Sequence, residues 1–132
     1  MNLIPASHSD LLRVETRAIL FLATIMHDGS PQLTPVWFNV DGQHILVNTA
    51  EGRVKDVNMR ERPSVAVCIA DPRSPYRYLQ IRGRVVGREY EGADGHINAL
   101  SMKYRREAWT PRADQVRVIY KILPEHVDAS DG

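Results

Sequence analysis

Residues 48 to 58 read Asn-Thr-Ala-Glu-Gly-Arg-Val-Lys-Asp-Val-Asn, the stretch whose residue types point most directly to chemistry. It joins a strand-like segment to a helix-like one. The first-turn N–H groups of a helix are unpaired and its dipole is positive there, so acidic side chains are the usual occupants. Arg53 and Lys55 stand at that point instead. A bound anion resolves the conflict. Free N–H groups, the Thr49 hydroxyl, a forked guanidinium and an ammonium make a phosphate cradle, with Gly52 letting the backbone come close and Asn58 adding an amide about one turn on. The plain alternative is that Arg53 and Lys55 are solvated charges balanced by Glu51 and Asp56. Neither a Gly-rich Walker loop nor a G-x-G-x-x-G after a strand is present, which speaks against nucleoside triphosphate chemistry and a Rossmann site.

A second cationic stretch follows. Arg73, Arg77, Arg82, Arg84 and Arg88 have no acid among them, the strongest local positive field in the chain. Arg82, Arg84 and Arg88 share one strand face by parity, together with Gln80. They form either a solvated face whose stems cover apolar surface or a face that meets an anionic ligand. His8, His27, His44, His96 and His126 are scattered, and none stands with a Ser, Cys or acid at the spacing of a nucleophilic triad. Cys68, the sole cysteine, lies in Val67-Cys68-Ile69, where a thiol behaves as a small hydrophobe. It forms no internal disulfide, and no Cys/His cluster has zinc spacing, so no metal site is expected. Tyr76, Tyr78 and Tyr104 carry phenols that suit proton donation and equally suit a core or an interface. No residue is singled out as catalytic.

The elements that must position these groups are mostly strands. Ile19 to Met26 is a nearly unbroken apolar run of strand length, closed by His27-Asp28-Gly29-Ser30-Pro31, a hairpin signal. Gln32 to Val40 makes the second strand, with Pro35 at its middle demanding an edge or a bulge. Asp41-Gly42 turns into a third, His44 to Ala50. Glu51 to Arg62 reads as a helix of about three turns stopped by Pro63. Ser64 to Ala70 is a β-branched strand, and Tyr76 to Tyr90 a long one that Gly83 and Gly87 allow to bend. A second helix spans Glu91 to Arg106, with Ala93, Ile97, Leu100 and Tyr104 on one face. Val116, Val118, Tyr120 and Ile122 alternate with Arg117 and Lys121 in a last strand ending near Pro124. Arg13 to Arg17, amid Leu11, Leu12, Val14 and Ala18, suits a short amphipathic helix feeding the first strand. About six antiparallel strands with two or three helices predict a mainly β (α+β) small barrel whose helices cover its open ends.

The chain has 132 residues, 43% hydrophobic and 25% charged, which is globular composition and the length of one domain, expected to span residues 1–132. A net charge of +1 supplies no global field for nucleic acid or an anionic membrane, so neither is an expected partner. No apolar run approaches the roughly 18 residues of a membrane span, and the start lacks a basic region followed by an apolar one. The expected compartment is the cytoplasm.

Taken in order, several motifs make the chain resemble the split β-barrel flavin and deazaflavin oxidoreductases related to pyridoxamine 5'-phosphate oxidase. They are Asp28-Gly29-Ser30-Pro31 followed by Pro35-Val36-Trp37-Phe38, Asn48-Thr49 with Gly52-Arg53-Val54-Lys55 and Asn58, Pro63 before Val65-Ala66-Val67, and Tyr76 through Gly83. The resemblance covers nearly the whole chain and is strongest to the small branch that uses the deazaflavin coenzyme F420. It implies an antiparallel split β-barrel of the FMN-binding type, six-stranded with two or three flanking helices, and a homodimer with a cofactor in each groove between subunits. It puts Arg53, Lys55 and Asn58 at the cofactor phosphate, Thr49 and Ala50 on the strand end beside them, and Pro35, Val36 and Trp37 along the isoalloxazine-like ring. Trp37 and Phe38 face opposite ways on a strand, so only one meets the ring, and both also suit a core. Gln80 and Arg82 are expected to reach the cofactor from the second subunit.

The implied activity is hydride transfer between F420 and a small organic acceptor. F420 carries a phosphodiester and several carboxylates that need an extended basic groove, whereas FMN ends in one dianionic phosphate. Arg53, Lys55 and the later arginines favour the longer anion. FMN, in a pyridoxamine-phosphate-oxidase-like enzyme, is the alternative. A non-catalytic carrier of a flavin, haem or tetrapyrrole in the same groove is a third reading. The loops 71–75 and 107–113 would shape the substrate site.

Overall fold

Leu20–Ile25 (β1) and Pro31–Val36 (β2) form the hairpin that Asp28-Gly29 signals. Gly29 takes φ +88°, and Asp28 Oδ1 accepts from the Ser30 N–H at 3.0 Å, which pins the turn. Trp37 then breaks the ladder, and Phe38–Asp41 (β3) pairs with His44–Ala50 (β4) rather than with β1. The single strand expected over 32–40 is therefore two, and the sheet has seven strands, not six. Pro35, which has no N–H to donate, lies on an outermost strand as its chemistry requires. The structure is a computed structural model describing residues 2–132; Met1, at the head of the stretch read above for a leader, lies outside them.

With Ser64–Asp71 (β5), Ser74–Glu89 (β6) and Arg117–Asp131 (β7), the antiparallel order is β2-β1-β5-β6-β7-β4-β3. The two outermost strands are consecutive in the chain, with only Trp37 between them. Two Cα steps span at most about 7 Å, so the sheet has to curl until its edges almost meet. The result is a mainly β barrel split along one seam, with Trp37 at one end of that seam.

The concave side carries the core. Leu20 and Leu22, Ile45 and Val47, Val67 and Ile69, Leu79 and Ile81, Val118 and Tyr120 are buried there with Phe38. Burial of each large apolar side chain contributes about 1.5–3 kcal/mol. Val54–Glu61 (α1) sends Met59 into this core and ends before Pro63, a turn shorter than expected. Ala93–Arg105 (α2) lies against β4 and β7 and buries Ala93, Ile97 and Leu100. The amphipathic helix expected over 13–17 is instead a 3-10 helix at Ala6–Leu12, whose three-residue repeat puts His8 and Leu11 on one buried row.

One expectation changes in β7 and one in β6. β7 runs on past Pro124 to Asp131, because Pro124 faces Gly83 at a register shift where its missing N–H breaks no ladder. A second shift between Val85 and Gly87 ends the strict alternation, so Arg88 turns inward while Arg82 and Arg84 stay exposed.

Candidate functional site

A groove of about 400 Å³ opens where the seam, the α1 start and α2 converge. The corner between β2 and β3 gives it Pro35, Val36 and Trp37, α2 gives it Ile97 and Leu100, and Ile19 adds a further apolar wall. Trp37 is held flat: its ring stacks on Tyr104 at 5.5 Å with 6° between planes and meets Trp109 edge-on at 6.3 Å. The Tyr104 hydroxyl donates to the Ala18 carbonyl and burial pushes the phenol up, so its proton is committed to the backbone. Both tryptophans of the chain line this one groove.

The same groove holds Arg53, Lys55 and Arg117. Arg53 is the N-cap of α1 with extended backbone (φ −64°, ψ 156°) and makes no capping bond with its side chain. The cap duty falls to Asp56, whose Oδ2 accepts from the Gly52 N–H at 2.9 Å. Asp56 is fully buried and also takes Arg88 and the Tyr120 hydroxyl. Burial would raise its carboxyl, but hydrogen bonds from Tyr120, Gly52 and Arg88 outweigh that and hold it below the ordinary value. Arg53 and Lys55 are thus left to point elsewhere. Burial lowers the Lys55 ammonium, and Arg53 and Arg117 push it the same way. Among the described residues none of these three cations forms an ion pair, Arg53 being exposed, Lys55 half-buried and Arg117 buried, whereas the half-buried Arg62, Arg77 and Arg88 each meet an acid.

The remaining residues named from the sequence lie apart from the groove. Asn58 is buried and gives its amide to Thr24 Oγ1 at 3.0 Å, while its Oδ1 accepts from Arg62. Thr49 faces the core side of β4 with its hydroxyl unpartnered, and Ala50 is buried at the strand end. Gln80 and Arg82 stand on the convex face of β6, level through the β5 register with Phe21 and Ala23 of β1. The field expected from five arginines is largely neutralised: Arg77 pairs with Asp10 and Asp71, Arg84 with Glu125 and Arg88 with Asp56. Cys68 has its thiol pushed up by burial, which suits a hydrophobe.

Asn48, Trp109 and Arg117 line the groove without having been singled out for it. Arg117 occupies what alternation marks as the polar side of β7. Ile119, on the same parity, was the available sign that α2 covers that side.

The family model described as pyridoxamine 5'-phosphate oxidase matches residues 8–131. Among solved structures, an F420 reductase is 32% identical, with a TM-score of 0.84 over 95% of this chain and 98% of that one. A conserved hypothetical protein from Mycobacterium tuberculosis is 22% identical, with a TM-score of 0.75 over 97% of this chain and 85% of the other. General Stress Protein 26 from Bacillus anthracis is 19% identical, with a TM-score of 0.70 over 94% and 95%. These last two share the fold. No helix among the described residues is long and apolar enough to cross a membrane.

Proposed function

The chain belongs to the pyridoxamine 5'-phosphate oxidase family of split barrels, and from that premise we propose that it is an oxidoreductase passing hydride between F420 and a small organic acceptor. One observation carries the reading: a single groove combines a rigid aromatic wall with cations that, among the described residues, pair with no acid. Its volume, about 400 Å³, falls within the roughly 300–1,000 Å³ usual for small-molecule sites, so a tricyclic ring with a phosphorylated tail suits it.

A bound deazaflavin or flavin supplies the hydride-carrying ring. Arg53 and Lys55 grip its phosphate through charge-assisted hydrogen bonds, and an anion there offsets the burial that chiefly lowers Lys55 and the repulsion from Arg53 and Arg117 that adds to it. Pro35, Val36 and Trp37 orient the ring, with Trp37 fixed by its stack on Tyr104. Ile19, Ile97 and Leu100 exclude water. Thr49 and Ala50 hold the strand end from which the α1 mouth departs. Asn58 supports the cradle from behind through Thr24 and Arg62.

Residues 1–132 then form one domain that works in pairs. Phe21 is 40% exposed on the convex face beside Cys68 and Gln80, an apolar surface that a second copy would cover. Gln80 and Arg82 point away from their own groove and so reach only a partner's. The cytoplasm is the proposed compartment, where the lone Cys68 stays reduced.

FMN is the second reading, and the internal pairing of Arg77, Arg84 and Arg88 favours it, since that leaves fewer cations for a long anionic tail. Titration of the purified protein with F420 and with FMN, repeated on Arg53→Ala and Lys55→Ala, tests both. One cofactor should bind well below millimolar, with each variant weakened roughly tenfold or more. Failure of both cofactors to bind below about millimolar overturns the proposal. Consumption of the reduced cofactor with quinone, enone or tetrapyrrole acceptors marks an enzyme, whereas binding with no loss of its absorbance marks a carrier.

A further inference from the structure

We propose that Arg117 is a third cation of the anion site and that His96 is the residue that positions it; the proposal rests on the anion-gripping groove argued above. Arg117 opens β7, is 8% exposed, and lines the groove with Arg53 and Lys55. Its Nε donates to Asn48 Oδ1 at 2.9 Å and one terminal nitrogen to Gln115 Oε1 at 3.1 Å, with the guanidinium 5.2 Å above the Trp109 ring. No carboxylate pairs with it among the described residues. A guanidinium taken from water without a paired carboxylate is costly, and burial first, then Arg53, bring Arg117 down to about 10 against the weaker opposing pull of Asp94. A ligand with at least two negative charges offsets that cost, which is the chemistry of a terminal phosphate or a polyanionic tail.

The guanidinium is aimed by a relay across four elements. Asn48 spends its carbonyl on Arg117, so its amide must turn to the Ala93 carbonyl and to His96 Nδ1, each at 3.0 Å. A ring nitrogen that accepts leaves the proton on Nε2, which donates to Asn39 Oδ1 at 2.9 Å. Only neutral His96 in this tautomer satisfies both neighbours, and in that form it adds no charge beside Arg117. The route from Asn39 on β3 through His96 on α2 and Asn48 on β4 ends at the groove. Its purpose is to hold one cation still.

FMN and riboflavin differ only in the phosphate, so the ratio of their affinities isolates the anion site from general damage to the groove. Binding is read by quenching of Trp37 and Trp109. Arg117→Gln should lower the ratio roughly tenfold or more, with riboflavin unchanged. His96→Leu should lower it in the same direction. His96→Gln, which offers a carbonyl to Asn48 and an N–H to Asn39, should restore it. Should His96→Leu fail to fold, Asn39→Ala removes the far end of the relay and carries the same expectation. A ratio that falls in Lys55→Ala but not in Arg117→Gln overturns this inference and leaves the cofactor reading standing. Quenching by inorganic pyrophosphate that depends on Arg117 and His96, in a protein to which neither F420 nor FMN binds below about millimolar, leaves this inference standing and removes the other. If the wild type prefers FMN no more than riboflavin, ignores pyrophosphate and binds F420 no tighter than Arg117→Gln does, this inference falls; if F420 and FMN also both fail to bind below about millimolar, the cofactor reading falls with it.

Discussion

Arg53 and Lys55 are available to a ligand because Asp56, one turn into α1, serves the helix start in their place. The sequence alone showed two cations where acids are favoured; it did not show that the acid three positions on was already engaged by Gly52, Arg88 and Tyr120. Arg53 and Lys55, which the structure brings to one groove, stood out because they put charge at a turn and a helix start in a short span. Asn58 was not, since nothing local reveals that Thr24 of β1 lies beneath it. His96 is the residue whose environment has the clearest solution signature. Burial first, and Arg117 second, bring it from 6.5 to about 4. Between these two values the unfolded chain binds the extra proton and the folded chain does not, so stability is lost as pH falls from 6.5 toward 4. The loss is on the order of 2–3 kcal/mol. Urea midpoints across this range should fall for the wild type and fall less for His96→Gln. Parallel curves for the two proteins would show that His96 does not carry the effect.

At the scale of elements, alternation located most strands and Pro35 announced an edge, yet the switch of partner at Trp37 was invisible. One residue between two strands gives no turn signal, and only the closing of the barrel shows why the chain changes ladders there. The β6 bulges were hinted at by Gly83 and Gly87, but their consequence for facing was not. Parity placed Arg88 with Arg82 and Arg84, and the extra residue at Val86 sends it inward to Asp56. Gly83 is the tighter of the two glycines: a Cβ there would run into the Leu123 carbonyl oxygen. Gly83→Ala should cost about 1–3 kcal/mol, because backbone on the facing strand must move. Gly95 in α2 has open space around it, and Gly95→Ala should gain roughly 0.5–1 kcal/mol by helix propensity. Denaturant midpoints that moved together for the two variants would contradict this contrast.

For the whole molecule, the fold class and the helices that flank the sheet were readable from pattern and turn chemistry. The distribution of charge was not. Local counting gave a positive field between residues 73 and 88, whereas folding brings Asp10, Asp71, Glu125 and Asp56 from other elements to meet it. What survives is a smaller cationic set inside the groove and a convex face carrying Phe21, Gln80 and Arg82. If that face joins two copies, sedimentation should give a dimer, and Phe21→Glu should shift it toward monomer and weaken cofactor binding with it. A monomeric wild type that binds cofactor normally would remove the pairing.

The crystal structure of the protein with F420 or FMN bound addresses the central claim most directly. The ligand phosphate is expected within hydrogen-bond distance of Arg53 and Lys55, with the ring against Pro35, Val36 and Trp37. A ligand seated elsewhere, with both cations turned to solvent, would contradict the account.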